Sequence, residues 1–570
     1  MRRTYILLAA ALAVAGCTKD KIETVEPTPG GQTDVPDTGD DNIDSVSFDR
    51  TVTVVYASGG ATVSGATDSV AATVDGNRVT ITNRGSETVR YELSGQAADG
   101  CFKLYSGHKQ AVVLRGVGLA NSSGAAINIQ GPSYKPSSGK RTFVVVEGAN
   151  TLADGQAYTS TPEGEDEKAV LFSEGKLVFS GSGSLTVTAR GKAGITSDDY
   201  VRFAGSPQVK VSSTAGHGVR GKDAIYVDGG TIDVEVSANG KKGFSSDSLV
   251  RFAGGATTIT LTGSTVVESG DTNRSNCIKA DRLFEMNGGT LTVSNSGTGG
   301  KGISGDGKGL FNGGTVTVTV SGANFGSSSG GGGGWGGGGG WGPGGGGSNK
   351  NSVGAKGIKF DGDIEIAGGV ITVTAAKHEG IETKGTLTVT GGEVYSQSTD
   401  DAINSASTMT ISGGYVCAYS TGNDGLDANG NLYIKGGMVY AIGSTQPEMA
   451  IDANTERGYK LYIQGGTIVA LGNLENGFQA SQSCYSASSW SRNTWYSITT
   501  GGKTHAFKTP SSGGTRLAVS GPEQPTVQRD VTVEGGTTRL NGMVVESPAV
   551  SGGSSVSLSN YTSSGGGWGW

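Results

Sequence analysis

The feature that most limits this chain is that it repeats itself. A Gly-Ile-like step recurs at Gly194-Ile195, Gly218-Val219, Gly243-Phe244, Cys277-Ile278, Gly302-Ile303, Gly357-Ile358, Gly380-Ile381, Ala402-Ile403, Gly425-Leu426 and Ala450-Ile451. Successive starts lie 24, 25, 34, 25, 55, 23, 22, 23 and 25 residues apart. Gly-Gly pairs such as Gly229-Gly230, Gly391-Gly392 and Gly436-Gly437 keep the same rhythm, and the longer of the two wide gaps holds the Gly-rich run 330–347. A period of this length is the signature of a stacked array of repeats. A leucine-rich repeat has a similar period, but its L-x-x-L-x-L-x-x-N run is absent. Each unit instead carries short alternating strands around the Gly-Gly pair. In NLYIKGGMVYAIG, Leu432, Ile434, Val439 and Ala441 are predicted to face inward, and Tyr433, Met438 and Tyr440 outward.

A strand of four or five residues cannot bury its apolar side alone. Stacked about 4.8 Å above its equivalent in the previous repeat, it pairs its backbone on both sides and completes a narrow apolar core. The predicted core column is Ile195, Val219, Phe244, Ile278, Ile303, Ile358, Ile381, Ile403, Leu426 and Ile451. The expected fold is all-β, a parallel β-helix with coils of about 22–25 residues.

Composition closes the alternatives. Glycine accounts for 101 of 570 residues, which argues against a helical bundle, because Gly costs a helix interior about 1 kcal/mol relative to Ala. Collagen is excluded, because there is no three-residue period and Pro numbers only 13. A net charge of −7 and a pI near 5.4 give no reason to expect nucleic acid. Five Cys, at 17, 101, 277, 417 and 484, form no CxxC pair, and four His are scattered, so a Cys/His zinc site has no support.

Arg2 and Arg3 precede an apolar run from Tyr5 to Ala15 that is shorter than the ~20 residues needed to span a bilayer. This reads as a secretory signal. It ends in Val14-Ala15-Gly16-Cys17, which resembles the bacterial lipobox and implies a lipid on Cys17. The chain is thus expected at the bacterial cell envelope, on the outer membrane or cell surface, held to a membrane by that lipid only. The expected segments are a signal peptide at 1–16, the lipidated Cys and an acidic linker rich in Pro and Thr at 17–45, and N-terminal coils and cap at 46–168. Regular coils follow at 169–479 with an insertion at 322–352, and C-terminal coils, a cap and a Gly/Trp tail at 480–570.

The stretches EDEKAVLFSEGKLVFSGSGSLTV, GHGVRGKDAIYVDGGTIDVEV, HEGIETKGTLTVTGGEV, STDDAINSASTMTISGGYV and GNDGLDANGNLYIKGGMV resemble a bacterial family of carbohydrate-binding, right-handed parallel β-helices. The resemblance runs over about 110–475, and its most specific piece is Asp424 to Gly430 followed by Gly436-Gly437. It implies a shape like that of the polysaccharide lyases, bound calcium, and a polymer partner that is cellulose-like or acidic.

The residues suggest where sites would lie. Stacking turns equivalent positions into ladders, and the positions flanking the late Gly steps are acidic: Glu379 and Glu382, Asp401 (with Asp400 beside it), Asp424 and Asp427, then Asp452. Like carboxylates at strand spacing repel unless a cation or protons intervene. Ca²⁺ takes about six to eight oxygens at roughly 2.3–2.6 Å, which carboxylates and turn carbonyls can supply. The alternative is that these acids are solvated or cap turn N–H groups. Asp198, Asp223 and Asp247 are weaker candidates of the same kind. The family places an acid before most Gly-Ile steps, whereas Ala193, His217, Lys242, Asn276, Lys301 and Lys356 stand there in the earlier coils.

Those departures form a basic stripe of His217, Arg220, Lys242, Lys279, Lys301, Lys356 and Lys359, suited to a polyuronate chain or merely neutralising the acids beside it. Tyr433 and Tyr462 share an outward column and could stack on sugar rings, with Trp335 and Trp341 of the Gly-rich insertion as clamps. Outward positions are also expected for Tyr226, Tyr395, Tyr415, Tyr419 and Tyr440. No catalytic motif survives inspection, since Gly326 to Gly330 matches G-x-S-x-G only inside low-complexity chain. The expected function is polysaccharide binding. The alternatives are a calcium-dependent lyase using Lys356, Lys359 or Lys384 as base, and a non-catalytic surface stalk or adhesin.

Overall fold

The computed structural model describes residues 38–131, 141–159, 161–326 and 352–562. The chain divides into Met1–Val46 and Ser47–Trp570. The described part of the first unit holds two 3-10 turns, Thr38–Asp41 and Ile43–Ser45. The second unit is all-β, and among the described residues no helix is long and apolar enough to cross a membrane.

Each regular repeat supplies three strands. Ala193–Ser197, Tyr200–Phe203 and Gln208–Ser213 are followed in the next repeat by Val219–Gly221, Ala224–Val227 and Thr231–Val236. Each of the first three pairs in parallel with its equivalent in the second set. The same register passes from repeat to repeat, building one sheet of 15 strands and one of 30. The Gly-Ile step is therefore a strand in its own right, in addition to the two about the Gly-Gly pair.

The core column expected from the sequence is reproduced residue for residue. Ile195 pairs with Val219, Val219 with Phe244, Phe244 with Ile278, and Ile278 with Ile303. The line continues through Ile358, Ile381, Ile403 and Leu426 to Ile451, all of them buried in one cluster. Aromatic rings extend the stacking, with Phe179 and Phe203 at 5.0 Å and Phe244 and Phe252 at 6.1 Å between centroids.

The Gly-Gly pair forms the corner between the second and third strands. At Gly437 φ is +83°, and an added Cβ would lie 2.7 Å from the Gly414 carbonyl oxygen of the repeat below. The position needs both a left-handed backbone and room for a neighbouring peptide.

The C-terminal end of the stack is covered. Leu517–Ser520 runs antiparallel to the final long strand, Leu461–Leu471. A separate six-stranded antiparallel sheet, built from segments between Trp495 and Ser555, lies over the outer face of the last repeats. Covering an edge in this way prevents further strand pairing. It also changes the fate of several tyrosines. Tyr395, Tyr419 and Tyr440 do point away from the inner core, as alternation requires, but they are buried with Met438 against Tyr496, Phe507 and Leu540. Tyr226 is also buried, with the Arg202 guanidinium 5.1 Å from its ring centroid.

Truncating one of the stacked rings tests this core. Phe244→Ala should cost about 3–5 kcal/mol in a urea melt, whereas Thr258→Ala on the exposed face should stay within about 0.5 kcal/mol.

Candidate functional site

The two columns that flank the core strand become two parallel rows. One runs Arg220, Ser245, Lys279, Ser304, Lys359, Glu382, Asn404, Asp427, Asp452 by direct pairing. The other contains Lys242, Asn276, Lys301 and Lys356 by pairing. It is extended by Glu379, Asp401, Asp424 and Met449, whose carbonyls accept from the Gly or Ala amides of the preceding repeat. The rows begin basic and end acidic, with the change between Lys356 and Glu379.

The series of steps runs one repeat beyond Ala450-Ile451. Leu474 bridges to Ile451, and the Asn473 carbonyl accepts from the Ala450 amide, so Asn473-Leu474-Glu475 is a further step 23 residues after Ala450-Ile451 (474 − 451). Glu475, only 3% exposed, thereby continues the acidic row. The same spacing, followed by an apolar residue and an acid, was its signal.

The acids fall into two electrostatic groups. In the first, Lys356 Nζ lies 3.1 Å from Glu379 and 2.6 Å from Glu382. His378 contacts Glu379 and lies 2.8 Å from Asp400. Burial alone would lower the His378 imidazole, but hydrogen bonds to Asp400 and Glu379 lift it to about 9. It is therefore a cation at neutral pH, and in this group two cations offset most of the charge of three carboxylates.

In the second group, Asp401, Asp424, Asp427, Asp452 and Glu475 make no ion pair among the described residues. One oxygen each from Asp424, Asp427 and Asp452 lies within 4.8 Å of the others. Asn404 Nδ2 donates to Asp401 at 3.1 Å and to Asp427 at 2.5 Å, and the Met449 amide donates to Asp424 at 2.5 Å. These few donors do not offset the crowding. Burial, with Asp400 close by, pushes Asp401 up to about 6. Burial and then the Asp401 charge push Asp424 up to about 7. Asp427 is raised by burial and by Asp401 and Asp424, and Asp452 by burial and its contact with Glu475. An all-oxygen set that must otherwise hold protons fits a hard cation such as Ca²⁺.

The basic end is an open groove of about 290 Å³, with Arg274, Lys279, Lys301, Lys356 and Lys359 among its walls. Most of the stripe is paired. Arg220 meets Asp247 at 2.8 Å, Lys279 meets Asp281 at 2.9 Å, and Lys359 contacts Asp361. Lys242 and Lys301 have no carboxylate partner among the described residues. Burial, then Arg274 and Lys356, lowers Lys301 to about 7; burial, then Lys241 and Lys279, lowers Lys242 to about 8. His217 Nδ1 accepts from the Lys242 amide at 3.0 Å, so this nitrogen carries no proton.

Other expected residues are placed differently. Asp198 is bound to Lys168 at 2.8 Å and Asp247 to Arg220, so their carboxylates are already engaged, and Asp223 is exposed apart from both acidic groups. Tyr433 and Tyr462 stack on each other at 4.7 Å, with Lys435 Nζ 5.1 Å from the Tyr433 ring centroid. Trp490 donates to the Gly514 carbonyl and packs under the C-terminal sheet. Cys17, Trp335 and Trp341 lie outside the described residues.

The raised carboxyls set a pH dependence. Unfolded Asp titrates near ~3.9, so between that value and 6–7 the folded chain holds more protons and its stability falls as pH rises. His217, lowered by burial to about 3, acts in the opposite sense, so the comparison is made against a variant. In chelator, the melting temperature should fall more between pH 5 and 7 in the parent than in Asp424→Asn/Asp427→Asn. Added Ca²⁺ should remove the difference; equal slopes in chelator contradict this electrostatic account.

Comparison with known proteins adds the family. Residues 75–402 match the family model described as "Carbohydrate-binding domain-containing protein". The match contains Lys242, Lys301 and Lys356 and ends at the step that follows Asp401, before Asp424 and Asp427. No curated protein matches. A solved structure of a polysaccharide lyase-like protein from C. thermocellum (gadolinium derivative) is 18% identical, over 47% of this chain and 96% of that one, with a TM-score of 0.37. With more than half its length inside the matched stretch, the chain belongs to the carbohydrate-binding domain-containing protein family.

Proposed function

We propose that this chain is a lipid-anchored protein of the bacterial cell envelope whose stacked repeats form a right-handed parallel β-helix that binds an acidic polysaccharide. Calcium is held beside Asp424, Asp427, Asp452 and Glu475. The observation that carries this reading is the segregation of charge along the rows. Lys242 and Lys301 sit half-buried or buried without a carboxylate partner, and a few repeats further on the unpaired charges are all acidic. Keeping unpaired cations in a groove is costly unless an anionic ligand completes them. A uronate chain laid along the rows would meet lysines first, then carboxylates that only a bridging cation makes attractive.

The lyase alternative gains one observation, the Lys301 amine lowered to about 7, a value suited to a general base. Of the bases expected from sequence, Lys356 and Lys359 are tied to carboxylates, and Lys384 lines the groove without a carboxylate partner among the described residues. Spacing weighs against the lyase. From Gly302 to Gly425 there are four repeat steps, at 357, 380, 402 and 425, or about 19 Å at ~4.8 Å each. A metal and a base that act on one sugar must lie within a few Å of the same carbon. Two charged stations four repeats apart suit a polymer that is held.

Affinity for polygalacturonate, measured with and without chelator, tests the proposal. Lys242→Ala/Lys301→Ala should weaken binding about ten-fold at low salt, with the melting temperature unchanged or higher, and high salt should weaken the parent similarly. Binding indifferent to the two lysines, to salt and to chelator would refute it. Absorbance rising near ~235 nm, where an unsaturated uronate absorbs, would instead establish a lyase.

A further inference from the structure

The C-terminal sheet does more than cover the stack. Between it and the Gly-Gly corners of three successive repeats (Gly413-Gly414, Gly436-Gly437 and Gly466) lies a cleft of about 450 Å³. That is within the range of about 300–1,000 Å³ typical of small-ligand sites. Its glycine floor has no side chains, so a ligand can lie against the backbone. Every lining residue falls between 413 and 546, beyond the stretch matched by the family model.

The wall is chemically specific. His505 and Glu546 are paired across adjacent strands, which puts both side chains on one face of the sheet. The same face carries Lys503, two residues before His505. His505 is 5% exposed, and its Nδ1 has no hydrogen-bond partner. A buried ring nitrogen left unmatched is unfavourable, and a ligand group could satisfy it. Burial lowers the imidazole from its ordinary value, so it is neutral and can both donate and accept. Glu546 is held low by the Tyr415 hydroxyl and by Arg539, whose guanidinium is 3.0 Å away, and is therefore a fixed acceptor. The Tyr415 ring stands edge-on to His505 at 6.3 Å between centroids.

We propose that this cleft is a second sugar site, independent of calcium, that takes a neutral pyranose ring. Glu546 is already engaged by Arg539 and Tyr415, so Lys503 is the open charge on the lining; its exposed amine can donate to a ring hydroxyl, and the other lining groups are uncharged. Thr467, His505 and Glu546 offer mixed donors and acceptors, as ring hydroxyls require, and Tyr415 offers an aromatic edge to a flat floor. The site shares no residue with the acidic row or the basic groove, so it stands or falls separately from the polyuronate reading.

Saturation-transfer NMR on the full chain, in excess chelator and high salt to silence the charged rows, gives the test. The probes are the methyl β-pyranosides of glucose, galactose and xylose, with cellobiose as the disaccharide. At least one should bind saturably, with Kd on the order of 1 mM. Tyr415→Leu and His505→Leu should weaken it about ten-fold. Lys503→Ala, at an exposed position that leaves folding intact, should weaken it several-fold. Absence of saturable binding by every probe, or binding unchanged in Lys503→Ala and in each variant that keeps the parent's melting temperature, would overturn the proposal.

Discussion

The structure depends on one kind of contact: parallel, in-register backbone pairing between each strand and its equivalent in the next repeat. No repeat could stand alone, since strands of three to six residues leave both edges unpaired and too little apolar area buried. Stacking resolves both problems at once. It also fixes positions about 4.8 Å apart along a row, so any residue type that recurs in a sequence column becomes a line in space. The Phe rings inside and the charged rows outside are two results of the same geometry.

For apolar and neutral residues such a line is favourable. For ionised ones it is not, and the chain handles its charges in different ways along the stack. Lys356 and His378 offset most of the charge of Glu379, Glu382 and Asp400 by direct contact. Further along, Asp424, Asp427 and Asp452 face each other and the neighbouring acids Asp401 and Glu475, with a few hydrogen-bond donors and raised proton affinity. A neutral, protonated row and a cation-filled row are the two states compatible with such crowding, and the proposed calcium site rests on the second. The C-terminal sheet contributes in another way, converting an outward Tyr face into a second core and leaving a cleft beside it.

Much of this was legible in the sequence, because repetition supplies what a single unit lacks. The core column from Ile195 to Ile451 could be written from spacing alone, and with it the rows that flank it. Glu475 was missed because its step, Asn473-Leu474, has neither the Gly nor the Ile of the others, although the interval holds. Tyr395, Tyr419 and Tyr440 were given the right face and the wrong surroundings. Strand alternation shows which way a side chain points, but not what a segment nearly a hundred residues later, with no repeat of its own, will lay over it. The pairing of Asp198 with Lys168 and Asp247 with Arg220 was likewise hidden, since it depends on how long side chains reach between neighbouring repeats.

Stacking forces carboxylates into a row that must be held together by protons or by a cation. Calorimetric titration of Ca²⁺ at pH 6.5, repeated in buffers of different ionisation enthalpy, measures this directly by counting the protons displaced. Binding should release about one to two protons per Ca²⁺, because the cation replaces those held by Asp424, Asp427 and Asp452. An apparent heat that does not change with the buffer, or no binding at all, would contradict the account.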